Sequence, residues 1–478
     1  MQMGRLLLLS WMLSTMAIEA FAQTQASGGV NWIDPLGYTK PSFISITEPT
    51  PGANQYWVNL SGGSGSACTS ASPCSWATAQ GKPGTHGDGG GAYIYIEGTG
   101  SIGSPVLYGT AGNEVVVKPW NDSTLATITG RNNWTSRMQY VIFDGGPNLN
   151  IKFVSDNGGQ FDPSVYFNDS TAGDEDHITF YRTQWTVPGM GEEISQWGIV
   201  TNLYIINSEF HADGSTDTSN QHHIYLSGAS NYGPSSNIYL QHNIFRNSPG
   251  ENLELRLYQN ITNLVIDGNA WHDLGQGTCS ASWKCRSAIT LASSGGNLVS
   301  ATIMNNLIWN TGEGCIRNWE GAPLIYNNTC YQWGIGTPAN GTWGQWGIAG
   351  PNGPGGASGT YENNIFYATG TSGGAAKIPY DTSPVTTSNN ICPSLPFAGC
   401  SQAFQTSGAS QTVVTTDPTQ PSFMQINSTG SNAYQAGLAI TAVTLSYNGL
   451  LRAAPLDTGA YAYSSQTIAP PPNIRYVP

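Results

Sequence analysis

The chain has 478 residues, 16 basic against 29 acidic, and only 9% of it is charged, against about 25% in an average soluble protein. That scarcity and the net charge of −13 exclude a coiled coil, a charge-rich disordered chain and a nucleic-acid binder. With 59 Gly, 15 Trp, 23 Tyr and 13 Phe, the mix favours short strands, tight turns and a stacking-rich surface.

In chain order, Arg5 precedes an apolar run from Leu6 to Ala17, followed by Ala20-Phe21-Ala22. This order predicts a signal peptide over residues 1–22, too short to span a bilayer, and a secreted (extracellular or periplasmic) mature chain. Residues 23–55 form a lead-in segment, and Gln55-Tyr-Trp-Val-Asn59 is the first strong strand. The eight cysteines fall as local pairs, Cys68/Cys74, Cys279/Cys285, Cys315/Cys330 and Cys392/Cys400. None has Cys-x-x-Cys or zinc spacing, so disulfide staples are expected. The acidic run Asp169-Ser-Thr-Ala-Gly-Asp174-Glu175-Asp176 is a candidate Ca²⁺ site or a solvated loop, and it matches no EF-hand pattern.

From Tyr56 to Tyr463 no apolar pattern of helical period persists. Short β-rich runs recur instead, each ending in Asn: Asn237 to Asn243, Asn263 to Asn269, Ser300 to Asn306, Leu324 to Asn328, Tyr361 to Asn364 and Ser388 to Asn390. An earlier copy, Asn202 to Ser208, carries Ser at the register position. The register asparagines are spaced 26, 37, 22, 36 and 26 residues apart. The short spacings match one turn of a parallel β-solenoid, and the long ones a turn plus a loop. Asn tolerates left-handed geometry at a tight bend, and its amide can bond the Asn of the next coil. These asparagines are therefore read as a structural ladder.

A second apolar strand follows in each coil: His223-Ile-Tyr-Leu226, Asn252 to Leu257, Ala288 to Leu291 and Cys315 to Trp319. Period two sends Ile224, Leu226, Leu253, Leu255, Ile289, Leu291 and Ile316 inward. It sends His223, Tyr225, Asn252, Glu254, Arg256, Thr290, Arg317 and Trp319 outward. Stacking at about 4.8 Å brings Tyr225, Glu254, Thr290 and Arg317 into one column. The intervening loops, with Asp213, Asp217, Glu251 and Glu313, would wall such a face. Trp283, Trp319, Trp333, Trp343 and Trp346 are candidate sugar platforms, because a pyranose offers an apolar face to a ring. Asp267, His272 and Asp273 fall on the ladder side, away from this column. Residues 464–478 are a Pro-rich tail, read as disordered.

Three stretches resemble the right-handed parallel β-helix proteins of the pectin-lyase-like family. They are Gln55 to Asn59 with Pro73-Cys-Ser-Trp-Ala77, the Asn-terminated repeats with His223 to Leu226, and a closing pair. That pair is Tyr447-Asn-Gly-Leu-Leu-Arg452 and Asp457-Thr-Gly-Ala-Tyr-Ala-Tyr463, which departs from the usual phrase at Thr458 and Ala462. The resemblance implies an all-β, single-stranded parallel β-helix over residues 56–463, with a polysaccharide lying along one sheet. A monomer is expected, without nucleic-acid partners, given the charge, or membrane partners, given the short apolar run. The fold hosts lyases, hydrolases and non-catalytic adhesins, so it does not fix the chemistry.

Two chemistries compete. A β-elimination on a uronate needs its carboxylate neutralised, a base for the C5 proton and an acid for the leaving oxygen. Arg256 or Arg317 could neutralise or act as base, His223 could serve as base or acid, and a bound Ca²⁺ could share the charge. An inverting hydrolase needs two carboxylates about 6.5–9.5 Å apart. Glu254 with Glu251, Asp213, Glu313 or Glu320 could supply them, although the paired-aspartate motifs of polygalacturonases are absent. The His, Glu and Arg mixture favours the lyase. The third reading is an adhesion solenoid whose column binds glycan without cleaving it, its charges forming a surface ladder.

Overall fold

In the computed structural model, residues 32–33, 39–40 and 46–463 are described, less a few short gaps and the stretches 156–162, 213–221, 228–233, 249–252, 276–286, 294–300, 335–346, 350–358 and 369–384. The chain winds as a single-stranded right-handed parallel β-solenoid, as expected. Each full coil contributes one short strand to each of three faces. Among the described residues the helix is limited to Trp76–Gln80, capped by Ser75.

The first face runs from Gln55–Asn59 through Met138–Asp144, Thr201–Ile206 and Ser235–Gln241 to Val385–Ser388. The second includes Ile151–Val154, Thr183–Thr186, Glu209–His211, Ile244–Arg246, Ala270–Leu274 and Leu307–Thr311. The third is an eight-stranded sheet from Asn132–Trp134 through Glu192–Gln196, His222–Leu226, Leu253–Leu257 and Ile289–Ser293 to Ile316–Asn318 and Ile348–Ala349.

The corner between first and second faces carries the ladder. Asn243 Nδ2 donates to Asn269 Oδ1 26 residues on, Asn269 to Asn306 after 37, Asn306 to Asn328 after 22, Asn328 to Asn364 after 36, and Asn364 to Asn390 after 26. Ser208 holds the register position and donates its backbone N–H to Asn243 Oδ1 at 2.9 Å. One detail differs from expectation. The left-handed residue is the one before the ladder position, with φ of 54° at Asn305, 53° at Asn327 and 59° at Asn363. In each Asn-Asn pair the first residue makes the bend, and the second turns inward to bond its neighbours.

The aromatic side chains are distributed differently from the composition-based expectation. Period two on the second face directs large rings inward, where Phe153, Trp185, Phe210, Phe245 and Trp271 stack coil upon coil. Trp333, expected as a sugar platform, is fully buried in the same core. Trp283, Trp319, Trp343 and Trp346 lie outside the described residues. Disulfides form at Cys68–Cys74, Cys315–Cys330 and Cys392–Cys400, as the spacing predicted; Cys279 and Cys285 lie outside the described residues, as do residues 1–22 and 464–478.

The outer sides of two faces are partly covered by segments that precede and follow the repeat. Ile46 packs against Tyr93, Val116, Ile142, Tyr181 and Ile206 of the first face. Glu48 is held there by Lys118 Nζ at 2.9 Å, and Lys118 also reaches Asp144, which Arg182 grips at 2.8 and 2.6 Å. Burial and the nearby Asp144 push the Glu48 carboxyl up to about 7. Burial would raise Asp144 as well, but its bonds to Glu48, Arg182 and Lys118 hold it well below the usual carboxylate range. The segment after Cys400–Ala403 lies on the second face, with Phe423, Met424, Tyr447 and Tyr461 packed over Leu307, Trp309 and Ile365. Arg452 locks it, donating to the carbonyls of Asp457, Gly459 and Ala460 and to Asn305 Oδ1. Burial pulls this guanidinium down to about 10, so it stays charged at neutral pH.

Candidate functional site

The third face is where the sequence placed its outward column, and the register agrees. Tyr225 pairs with Glu254, Glu254 with Thr290, and Thr290 with Arg317. The column extends backwards through Ser195, Tyr166 and Asn133. The opposite parity, with Ile194, Ile224, Ile289 and Ile316, fills the core. Each coil therefore supplies one residue to the column.

Exposure departs from expectation. Tyr225 and Arg317 are each 6% exposed and Thr290 is 0%, whereas Tyr166 and Trp197 are intermediate. Alternation fixes which side of a sheet a residue leaves, not what else lies over that side. Glu254 and Arg256 sit on the described strand Leu253–Leu257, but their side chains lie outside the described residues. So do Asn252, Trp319, Asp213, Asp217, Glu251, Glu313 and Glu320.

His223 is corrected. Strict alternation puts it beside Tyr225, yet its ring lies 6.1 Å from Phe210 and 5.9 Å from Phe245, inside the core, and it is 0% exposed. Its Nδ1 is 2.9 Å from Glu193 Oε1, also fully buried. The pairing joins Glu192 to His222 and Ile194 to Ile224 but skips Glu193 and His223. The pleat breaks at these first residues, and the two histidines exchange sides. His222 is the one beside Tyr225, with ring centroids 5.2 Å apart, and its Nδ1 lies 3.4 Å from Glu192 Oε1.

Sequence reading also missed the aromatic strip leading to this point. Arg131 sits over the Tyr166 ring at 4.6 Å. Trp197 Nε1 donates to Ser195 Oγ at 3.1 Å, and its ring lies 5.9 Å from Tyr225. A signal was available, since Val165-Tyr-Phe167 and Ile194-Ser-Gln-Trp197 repeat the in–out alternation two coils and one coil before Tyr225.

The acidic run is divided. Asp169 Oδ1 accepts the Thr171 N–H, and Asp176 binds His177, Thr201 and Asn202. Glu175 is buried, and burial followed by the charge of Asp169 holds its carboxyl well above the usual range. Among the described residues no group of three or more His, Cys, Asp or Glu gathers as a metal site. His272 belongs to the second face, stacked on Trp309 at 4.4 Å, away from the third face as expected.

No protein-family model and no curated protein matches the chain. Among solved structures it is similar to the pectate lyase Pel9A, at 14% identity and a TM-score of 0.52 over 87% of this chain and 98% of that one. It is also similar to a rhamnogalacturonan lyase (11%, 0.41, over 79% and 97%) and to a mutant of the PL6-family alginate lyase AlyGC (13%, 0.32, over 66% and 51%). At 14% identity the likeness to Pel9A is one of fold.

Proposed function

We propose that the chain is a secreted polysaccharide-degrading enzyme that binds a uronate-containing glycan along the third face and cleaves it by β-elimination. The observation that carries this reading is the single register column in which Tyr225, Glu254, Thr290 and Arg317 succeed one another. In a chain with 9% charge, an arginine and a glutamate at nearby positions of one register column beside an aromatic strip form a rare grouping. The fold shared with a pectate lyase supports the same reading.

Arg317 or Arg256 neutralises the uronate carboxylate, which acidifies the neighbouring C–H. Glu254 supplies acid–base capacity, and Tyr225, Trp197 and Tyr166 offer ring faces to sugar units.

The test is a panel of uronate and neutral polysaccharides, with and without a chelator. Ultraviolet-absorbing unsaturated product from a uronate polymer, lost by about 100-fold in Glu254→Gln and Arg317→Ala, is the expected result. Reducing ends without that absorbance would indicate the hydrolase. Binding without any product would indicate the adhesion solenoid. Loss of turnover with the chelator alone would indicate that Ca²⁺ shares the neutralisation.

A further inference from the structure

We infer that the corner where the third face turns into the first carries a subsite for an anionic sugar unit, with Arg137 as the group that binds the carboxylate. The inference rests on the reading of the third face as a glycan surface, and it extends that surface past its first strand.

Asn132–Trp134 is the terminal strand of the third face, and Met138–Asp144 is the first-face strand that follows it. Arg137 stands between them and is exposed. Its guanidinium lies over the Tyr108 ring at 4.4 Å, and its Nε donates to Gln139 Oε1 at 2.8 Å. Both supports are themselves held. Tyr108 pairs with Gln139 in register, and the His86 ring stacks on it at 5.3 Å. His86 Nε2 lies 3.0 Å from the Val106 carbonyl oxygen, and Gln139 Nε2 donates to the Gly173 carbonyl. Gly87, with φ of 69°, passes so close that a Cβ there would stand 2.7 Å from the Tyr108 ring. The backbone is shaped to this ring.

Other cations of the chain are engaged. Lys118, Arg182 and Arg246 are held by carboxylates and Arg452 by carbonyls. Arg137 makes the two contacts above and, among the described residues, no ion pair. Asp176 pairs with Gln139 in register, but its oxygens are occupied. His177 Nδ1 lies 2.7 Å from one, and Thr201 Oγ1 and Asn202 Nδ2 donate to the other at 2.6 and 2.7 Å. Burial would raise its carboxyl, but these bonds hold it below the usual range.

With one face and Nε of the guanidinium engaged, its two terminal nitrogens remain for a ligand. They present the planar pair of N–H donors that matches a carboxylate. A group already fixed by a ring and an amide loses little freedom on binding. The place of the group fits a glycan. Trp197 stands at the same corner two coils on, and its ring reaches Tyr225 of the column. A chain leaving the column beyond Asn133 meets Arg137 next. Six register steps separate Asn133 from Arg317, about 29 Å at about 4.8 Å per step. The ligand that engages both arginines is therefore a uronate-bearing oligosaccharide of several units.

The test is isothermal titration of the full chain with octagalacturonate, in a Glu254→Gln background that slows consumption of the probe. Adding Arg137→Gln is expected to weaken binding by about tenfold. Arg137→Lys, which keeps the charge and loses the fork, should recover only part of that affinity. The fully methyl-esterified octamer, which lacks the charge, should bind equally with and without Arg137. Equal octagalacturonate affinity in the two proteins overturns the subsite. An equal loss for the methyl ester also overturns it, since the stack would then only brace the corner. No octagalacturonate binding with Arg137 in place overturns it as well. Should Arg137→Gln fail to fold, Arg137→Lys carries the comparison, with a loss of about threefold expected and unchanged affinity overturning the fork. The elimination reading is decided separately, by unsaturated product from wild type on the polysaccharide panel. Product together with binding that ignores Arg137 leaves the elimination standing without the subsite. Binding that depends on Arg137, without product from any uronate polymer, leaves the subsite standing without the elimination.

Discussion

The ladder corner and the outer side of the third face are built from the same successive coils, yet they handle buried polar groups in opposite ways. At the corner, each asparagine amide bonds its counterparts above and below and a backbone carbonyl. Asn306 Nδ2 donates to Asn328 Oδ1 and to the carbonyls of Ile266 and Met304, and its Oδ1 accepts from Asn269. The groups are neutral and identical from coil to coil. On the third face the column changes residue type at every step, from Ser195 to Tyr225, Glu254, Thr290 and Arg317. A structural ladder gains from repetition, because each rung satisfies the next. The third-face column, which we propose as the recognition surface, differs in chemistry at each rung instead.

Four substitutions would break or sharpen that contrast. The largest effect is expected at the ladder. Asn306→Ala leaves the Asn269 N–H and the Ile266 carbonyl buried without partners and should cost about 3 kcal/mol, read as a lowered thermal midpoint. Turnover per folded molecule should be unchanged. Arg317→Ala should show the reverse, a loss of about 100-fold in turnover, equivalent to about 2.7 kcal/mol of barrier, with a smaller change in melting than Asn306→Ala. Equal melting losses in the two variants would erase the distinction. Trp197→Ala should raise KM by about tenfold with kcat nearly unchanged, since a stacking ring binds ground and transition states alike.

The smallest effect concerns the lead-in segment. The Glu48 carboxyl is raised from its ordinary 4.5 to about 7. The protonated form is therefore favoured in the fold, and its contribution is full below pH 4.5 and lost as pH rises through about 7. The protection of the residue 46–50 amides against exchange, relative to their intrinsic rates, should fall across that interval. Glu48→Gln should flatten that fall, and wild-type protection independent of pH over the same range would contradict the assignment.

Repetition also decided what the sequence could reveal. The Asn spacing, three disulfides and the Tyr225-Glu254-Thr290-Arg317 register are all nearest-neighbour properties. A coil touches only the coils beside it, so a linear pattern maps directly onto contact. The identity of the outward histidine was not legible. Period two assigned His223, but the pleat breaks at the strand start and places His222 outside. The direction of the aromatics was equally hidden. Composition counts rings without saying which face they leave, and Trp185 and Trp271 turned out to fill the core.

The 9% charge by itself determined that few side chains could do chemistry, and the strand periods determined which sheet they would share. Only the tertiary structure decided which of these were accessible. Glu48 meets Lys118 across 70 residues of chain, Arg452 meets Asn305 across 147, and His223 is enclosed between rings of two coils. Such contacts depend on how segments outside the repeat fold back over it and on local breaks in the pleat. Neither leaves a periodic trace in the sequence, because alternation encodes direction from a sheet and burial is set by everything that lies upon it.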